Sequence, residues 1–126
     1  MFLQNKNVVV MGVANKKSIA WGCAKALKDQ GANVIYTYQN ERMKKQVVKL
    51  ADENDLLVEC DVASDVSIQA AFETIKNEVG TIDGLVHAIA FAKKEELSGN
   101  VSDITRDGFL LAQDISSYSL LAVTHY

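Results

Sequence analysis

Val8-Val9-Val10-Met11-Gly12-Val13-Ala14-Asn15-Lys16-Lys17-Ser18-Ile19-Ala20-Trp21-Gly22 is the stretch whose reading decides the fold. Its apolar run, which opens at Asn7, is continuous instead of alternating. A strand buried on both faces requires this, and such strands belong to parallel sheets covered by helices. The run halts at Gly12, a short loop follows, and a helix opens near Ser18. From Ser18 to Gln30 the apolar residues Ile19, Cys23, Ala24 and Leu27 fall at helical spacing, and Gly31 supplies the C-terminal stop. The stretch therefore reads as strand, turn, helix.

The same unit recurs along the chain. Further short runs rich in β-branched or aromatic residues span Asn33 to Tyr38, Leu56 to Cys60 and Ile82 to Ala90. Between them, Glu41 to Asp52 is a Lys-rich amphipathic stretch carrying Val47, Val48 and Leu50. Ser64 to Val79 carries Ile68, Phe72, Ile75 and Val79, with Ser64 as N-cap and Gly80 as terminator. Strands alternating with helices give the α/β class. Right-handed crossovers place the strands in the order 3-2-1-4, the first half of a doubly wound, Rossmann-type parallel sheet. Residues 1–126 read as a single dinucleotide-binding domain whose sheet is incomplete. Phe91 to Thr105 is polar and reads as a loop or short helix over the strand ends. About residues 106–126 the pattern is one long helix with Phe109, Leu110, Ile115, Leu120 and Val123 along it, and the chain ends while that pattern is still running.

Composition bounds the function. At 126 residues, 48% hydrophobic and 23% charged, the chain has the makeup of a soluble globular domain and not of a disordered one. No run approaches about 18 apolar residues without a charge, so no membrane span is expected. The start, Met1 to Lys6, lacks the basic-then-apolar pattern of a secretory signal. A formal charge of −3, with Lys and Arg spread along the chain, argues against nucleic-acid binding. Cys23 and Cys60 form no Cys-x-x-Cys pair, and His87 and His125 lie far apart, so no metal ligation is expected. Two reduced cysteines fit a cytoplasmic protein. Proline is absent altogether.

The turn after the first strand has chemical consequences. Backbone N–H groups opening a helix lack intrahelical partners and sit at the positive end of its dipole, which makes a site for a pyrophosphate. A Cβ at Gly12 would obstruct the turn and the approach of phosphates. Ser18 can cap the helix and offer its hydroxyl to a phosphate oxygen. The strict Gly-x-Gly-x-x-Gly fingerprint is missing, since only Gly12 and Gly22 match loosely, so the pattern alone leaves an ordinary strand-to-helix turn open. A Walker A reading fails, because Gly12 to Lys17-Ser18 is one residue short and lacks the glycine before the lysine. At the end of strand three, Asp61 could accept from an adenine amino group or merely cap the next helix or turn. At the end of strand two, neutral Gln39 stands where an acid often holds the ribose hydroxyls. Neither Gln39 nor Asn40 is basic, so nothing there is built for a 2′-phosphate, although Arg42, Lys44 and Lys45 are close by in sequence.

Several segments together resemble one family. Gly12-x5-Ser18-Ile19-Ala20, Tyr38-Gln39-Asn40, Cys60-Asp61-Val62, His87-Ala88-Ile89-Ala90-Phe91-Ala92, Thr105-Arg106-Asp107-Gly108-Phe109 and Gln113-Asp114-Ile115-Ser116-Ser117-Tyr118-Ser119 follow the order seen in bacterial enoyl-acyl-carrier-protein reductases of the short-chain dehydrogenase superfamily. The resemblance spans the whole chain. It implies reduction of the trans-2 double bond of an enoyl thioester on acyl carrier protein, in fatty-acid elongation, with a nicotinamide cofactor. By the same resemblance, Gly12, Ser18 and Ile19 would hold the pyrophosphate and neighbouring ribose. Gln39 would lie by the adenosine ribose, Asp61 and Val62 by adenine, and Ile89 by the nicotinamide-side ribose. Ala92 would face the acyl substrate, with Phe91 and Leu97 as walls of its pocket. Gln39-Asn40 favours NADH over NADPH, and a homo-oligomer, a tetramer in full-length members, is implied.

Two departures stand out. Ala88 replaces the family's common Ser, with little effect expected because strand-end backbone makes the usual contact. The family's Tyr-x6-Lys pair, which orients the ribose and stabilises the enolate oxygen, has no counterpart in place. Tyr38 and Lys45 have that spacing but lie at the end of strand two, and Tyr118 has His125 at the same offset. No catalytic residue is therefore assigned. The expectation is the cofactor-binding half of a longer reductase, a truncated product inactive alone, with its fourth strand an open edge prone to association. The alternatives are a non-catalytic dinucleotide-binding or association module, and another short-chain dehydrogenase. A ketoacyl reductase is disfavoured because the fourth strand lacks an Asn-Asn-Ala-Gly ending and the first turn lacks three glycines.

Overall fold

Val8, Val9, Val10 and Met11 are all buried, which places the first strand, β1 (Asn7–Met11), at the centre of the molecule. The computed structural model describes all 126 residues. Its other strands are β2 (Asn33–Tyr38), β3 (Leu56–Glu59) and β4 (Gly84–His87), and the sheet order is β3-β2-β1-β4, parallel throughout. The expected 3-2-1-4 order is thus the one observed. Between the strands run α1 (Ile19–Asp29), α2 (Glu41–Val48) and α3 (Asp65–Val79).

Successive side chains on β1 point to opposite faces, so its apolar run feeds two cores at once. Val8 and Val10 pack with Val34 and Tyr36 of β2, Ala20 and Ala24 of α1, and Val47 of α2. Val9 and Met11 pack with Ile35, Val58, and Ile68, Ala71 and Ile75 of α3. Fully burying a Val or Met side chain stabilises by about 1.5–3 kcal/mol. Helix starts are fixed locally. Asn40 Oδ1 accepts from the Met43 N–H at 3.0 Å to open α2, and Ser64 Oγ accepts from the Ser67 N–H at 3.2 Å to open α3. At its far end α3 stops at Gly80, whose φ is +79°.

Three expectations about extent are corrected. The second helix ends at Val48, well before Asp52. There the chain turns to place Asp52 and Asp55 around the Lys28 ammonium of α1, an ion cluster that competes with further helix. The fourth strand covers only Gly84–His87 within the expected Ile82 to Ala90, because β1, its sole partner, ends at Met11 opposite His87. The long C-terminal helix is interrupted. It comprises α4 (Arg106–Gln113), a π-helical turn at Asp114–Tyr118, and α5 (Ser119–His125). Two short 3₁₀ turns, Lys94–Leu97 and Val101–Asp103, occupy the preceding segment.

The π turn also overturns the expected apolar stripe. Each π turn inserts one residue and shifts the phase of everything after it. Phe109, Leu110 and Leu120 are exposed, whereas Ser119, Ala122 and Val123 are buried. Of the expected stripe, Val123 alone is fully buried, packed into the α3 side of the sheet beside Ala122.

Candidate dinucleotide site at the strand ends

Gly12 sits where β1 gives way to the loop, with φ of +105°. A Cβ built on it would lie 2.1 Å from the Ala88 carbonyl oxygen and 2.8 Å from its carbonyl carbon. The glycine is therefore demanded by the approach of the β4 end as well as by the backbone angle. Ala88 N–H in turn donates to the Met11 carbonyl at 3.1 Å, which fixes that approach. Beyond Gly12 the loop folds on Asn15. Its Oδ1 accepts from the Lys17 N–H at 2.8 Å, and its carbonyl accepts from both the Ser18 N–H at 3.1 Å and the Ser18 hydroxyl at 2.7 Å.

Ser18 therefore occupies the N-cap position without capping, a correction to the expectation, because its hydroxyl is turned back to Asn15. The N–H groups of Ile19 and Ala20 donate to no protein partner. Ile19 itself is 82% exposed, an apolar side chain held at the mouth of the helix. Unsatisfied donors at the positive end of an 11-residue helix suit an anion.

At the end of β3, Asp61 caps the turn that leads toward α3, one of the two roles its position allows. Asp61 does not cap α3, since Ser64 does. Instead Asp61 Oδ1 accepts from the Ala63 N–H at 3.0 Å, and its own N–H donates to Ser67 Oγ at 2.8 Å. Its second carboxylate oxygen takes no hydrogen bond within the protein. Asn40, occupied in capping α2, is withdrawn from ligand duty, and Gln39 is exposed. Lys44 Nζ lies 5.7 Å from the Tyr38 ring centroid, a cation held by an aromatic face, while Arg42 and Lys45 are solvated. The Tyr38 and Lys45 pair thus stands at the end of β2, where Tyr38 borders the strand-end cavity and Lys45 is exposed.

The β4 end is held by the π turn. Phe91 N–H donates to Ser116 Oγ at 2.9 Å, and the same hydroxyl donates to the Phe91 carbonyl at 3.2 Å. Ser119 Oγ donates to the Ile115 carbonyl at 2.6 Å and lies 2.7 Å from His87 Nε2. A hydroxyl has one proton and here gives it to Ile115, so His87 Nε2 is the donor to Ser119.

These strand ends enclose a cavity of about 310 Å³. Gly12, Gln39, Asp61, Val62 and Ile89 all line it, as do Ala88 and Phe91. Ser18, Ile19 and Ala92 lie outside it, and so does Leu97, which is 75% exposed. Residues not singled out from sequence also line it, among them Thr37, Met43, Cys60 and Ile115. Ile115 was masked by its place in an apolar helix stripe. Burial, with the neighbouring Asp61 charge, pushes the Cys60 thiol up to about 11, which keeps it protonated and uncharged in the cavity wall at neutral pH. No helix is long and apolar enough to cross a membrane.

A family model described as enoyl-(acyl carrier protein) reductase matches residues 12–126. The chain is 99% identical over 126 residues to the "Enoyl-[acyl-carrier-protein] reductase [NADH] FabI" of Enterococcus faecalis, covering 100% of this chain and 50% of that protein. It is 50% identical over 127 residues to the enzyme of Staphylococcus aureus named as the NADPH form, covering 98% of this chain and 50% of that one. Among solved structures, the Anaplasma phagocytophilum reductase in complex with NAD superposes with a TM-score of 0.95 at 42% identity, over 99% of this chain and 48% of that one. The chain spans about half the length of the curated relatives it matches.

Proposed function

The chain belongs to the enoyl-(acyl carrier protein) reductase family, and from that premise we propose that it forms the cofactor-binding half of an NADH-dependent enoyl-acyl-carrier-protein reductase. The supporting observation is the cavity where four parallel strand ends meet beside a glycine at which any Cβ would crowd the Ala88 carbonyl oxygen. Ligands of open α/β sheets bind at such carboxyl ends, at the point where the strand order reverses. Here that point lies between β1 and β4, because the chain runs outward from β1 through β2 to β3 and then crosses back to place β4 on the other side of β1.

The residues present fit a dinucleotide. The free N–H groups of Ile19 and Ala20, with Gly12 leaving room, hold the pyrophosphate, and Ser18 can turn its hydroxyl from Asn15 toward it. Asp61 offers its unpartnered oxygen to the adenine amino group, with Val62 against the ring. Gln39 hydrogen-bonds the adenosine ribose, and Ile89 packs on the nicotinamide-side ribose. Ala92, just past the cavity, borders the acyl chain. When bound, NADH supplies the hydride for the trans-2 carbon–carbon double bond. Residues 1–126 orient that cofactor, while the group that stabilises the resulting enolate oxygen lies outside them.

Neutral Gln39 and a capping Asn40 leave a 2′-phosphate without a dedicated donor, which supports NADH over NADPH. The substrate is the enoyl thioester on acyl carrier protein, and the protein works in the cytoplasm as a homo-oligomer. Backbone amide shifts on titration with NADH test the reading: Gly12, Ile19, Asp61 and Ile89 should move. Unmoved Gly12 and Ile19 signals at saturating NADH would overturn it.

A further inference from the structure

The sheet holds the fourth strand only as far as Ala88, whose N–H reaches the Met11 carbonyl. Ile89, Ala90 and Phe91 continue past that pairing as one wall of the cavity. Within residues 1–126 they are tied by a single side chain. Ser116, in the π turn, accepts from the Phe91 N–H and donates to the Phe91 carbonyl, so one hydroxyl satisfies both backbone groups of one residue. Three positions on, Ser119 repeats the attachment lower down, at His87. Ser117, between them, is exposed and its side chain makes no hydrogen bond.

We infer that Ser116 is a positioning residue for hydride transfer: it sets where the Ile89–Phe91 wall stands against the nicotinamide end of the cofactor. The inference rests on the dinucleotide reading of the cavity. Ser116 touches neither cofactor nor substrate. It acts through the Phe91 backbone, and the π turn brings its hydroxyl within reach of that backbone. Misplacing a reacting partner by about 1 Å can lower turnover by up to about 100-fold, even when overall affinity is retained. Several cofactor contacts proposed here (Ile19, Gln39, Asp61) come from other strand and helix ends than this wall. Loss of the tie should therefore separate turnover from binding.

The test uses the full-length reductase carrying this 126-residue sequence, with NADH affinity, kcat, KM and thermal midpoint measured for Ser116→Ala, Ser116→Cys, Ser116→Thr and Ser117→Ala. Ser116→Ala and Ser116→Cys should each lower kcat roughly tenfold while NADH affinity stays within about threefold. Ser116→Thr, which keeps the hydroxyl, should restore most of the turnover, and Ser117→Ala should match the parent. Parental kcat in Ser116→Ala, equal loss in Ser117→Ala, or a failure of Ser116→Thr to restore turnover would each overturn the inference. If the parent reductase itself binds no NADH, the dinucleotide reading falls as well. Binding with turnover indifferent to Ser116 removes the positioning role alone.

Discussion

Substituting Gly12 by alanine combines two penalties that a second glycine allows to be separated. The new methyl group would sit 2.1 Å from the Ala88 carbonyl oxygen, a backbone atom that cannot swing aside. Restoring an ordinary carbon–oxygen contact requires the β1 and β4 ends to part by about 1 Å, breaking the Ala88 to Met11 hydrogen bond or straining β4. Forcing an extra methyl into a packed site costs about 1–3 kcal/mol. The φ of +105° adds about 1–2 kcal/mol for any residue with a Cβ. Gly80 shares the positive φ, at +79°, but a Cβ there meets nothing within 4 Å. Gly80→Ala should thus show the conformational penalty alone, and Gly12→Ala should exceed it by the contact penalty of about 1–3 kcal/mol. Urea denaturation of both variants against the parent measures the difference directly. Equal destabilisation by the two substitutions would refute the reasoning, since the close approach of Ala88 would then carry no energetic weight.

Removing the caps should cost about 1 kcal/mol each, so Asn40→Ala and Ser64→Ala should lower the urea midpoint independently. Alkylation at pH 8 should modify half-exposed Cys23 well before Cys60, which is 4% exposed and whose thiol is held protonated; mass spectrometry of the tryptic peptides reads the order. Stability should fall as pH rises from 9 to about 12. Burial raises Cys60 from 9.0 to about 11 and Tyr36 from 10.0 to about 12, so the unfolded chain loses these protons first and is favoured through that window. Denaturant unfolding at pH 8, 10 and 11 measures the decline, and a stability that rose over this range would contradict the assignment. In the full-length reductase, Asp61→Ala should weaken NADH binding several-fold, by removal of one charge-assisted hydrogen bond, while the Ser64 cap keeps α3 in place.

Much of the fold could be read from residues alone because β1 is unambiguous. A continuous Val-Val-Val-Met run ending in Gly12 admits few structures, and the three other runs repeat its spacing. The ligand-binding ends of the strands followed from that topology and singled out Gly12, Gln39 and Asp61, the family resemblance added Val62 and Ile89, and all five line one cavity. What escaped depended on contacts between distant segments. Nothing in Gly12-Val13-Ala14-Asn15 tells that Asn15 will claim the Ser18 hydroxyl. The end of α2 at Val48 is set by Lys28, twenty residues earlier, drawing Asp52 and Asp55 into a turn. The π turn is equally silent in the sequence, since Asp114-Ile115-Ser116-Ser117-Tyr118 has ordinary helical composition and its widening is fixed by Ser116 and Ser119 reaching β4. The stripe drawn through Ile115 and Leu120 assumed an unbroken 3.6-residue period, and that assumption failed at this place.

That widened turn sets local and distant preferences against each other. Deleting a single amino acid between Gln113 and Ser119 would let the backbone relax into regular α geometry, a gain for the helix by itself. Everything downstream would then swing by about 100° around the axis, carrying Ala122 and Val123 out of the interior and turning a different set of side chains inward. The rod from Arg106 to His125 therefore tolerates point changes more readily than changes in length. A one-codon loss there should be more damaging than most substitutions of the residue it removes.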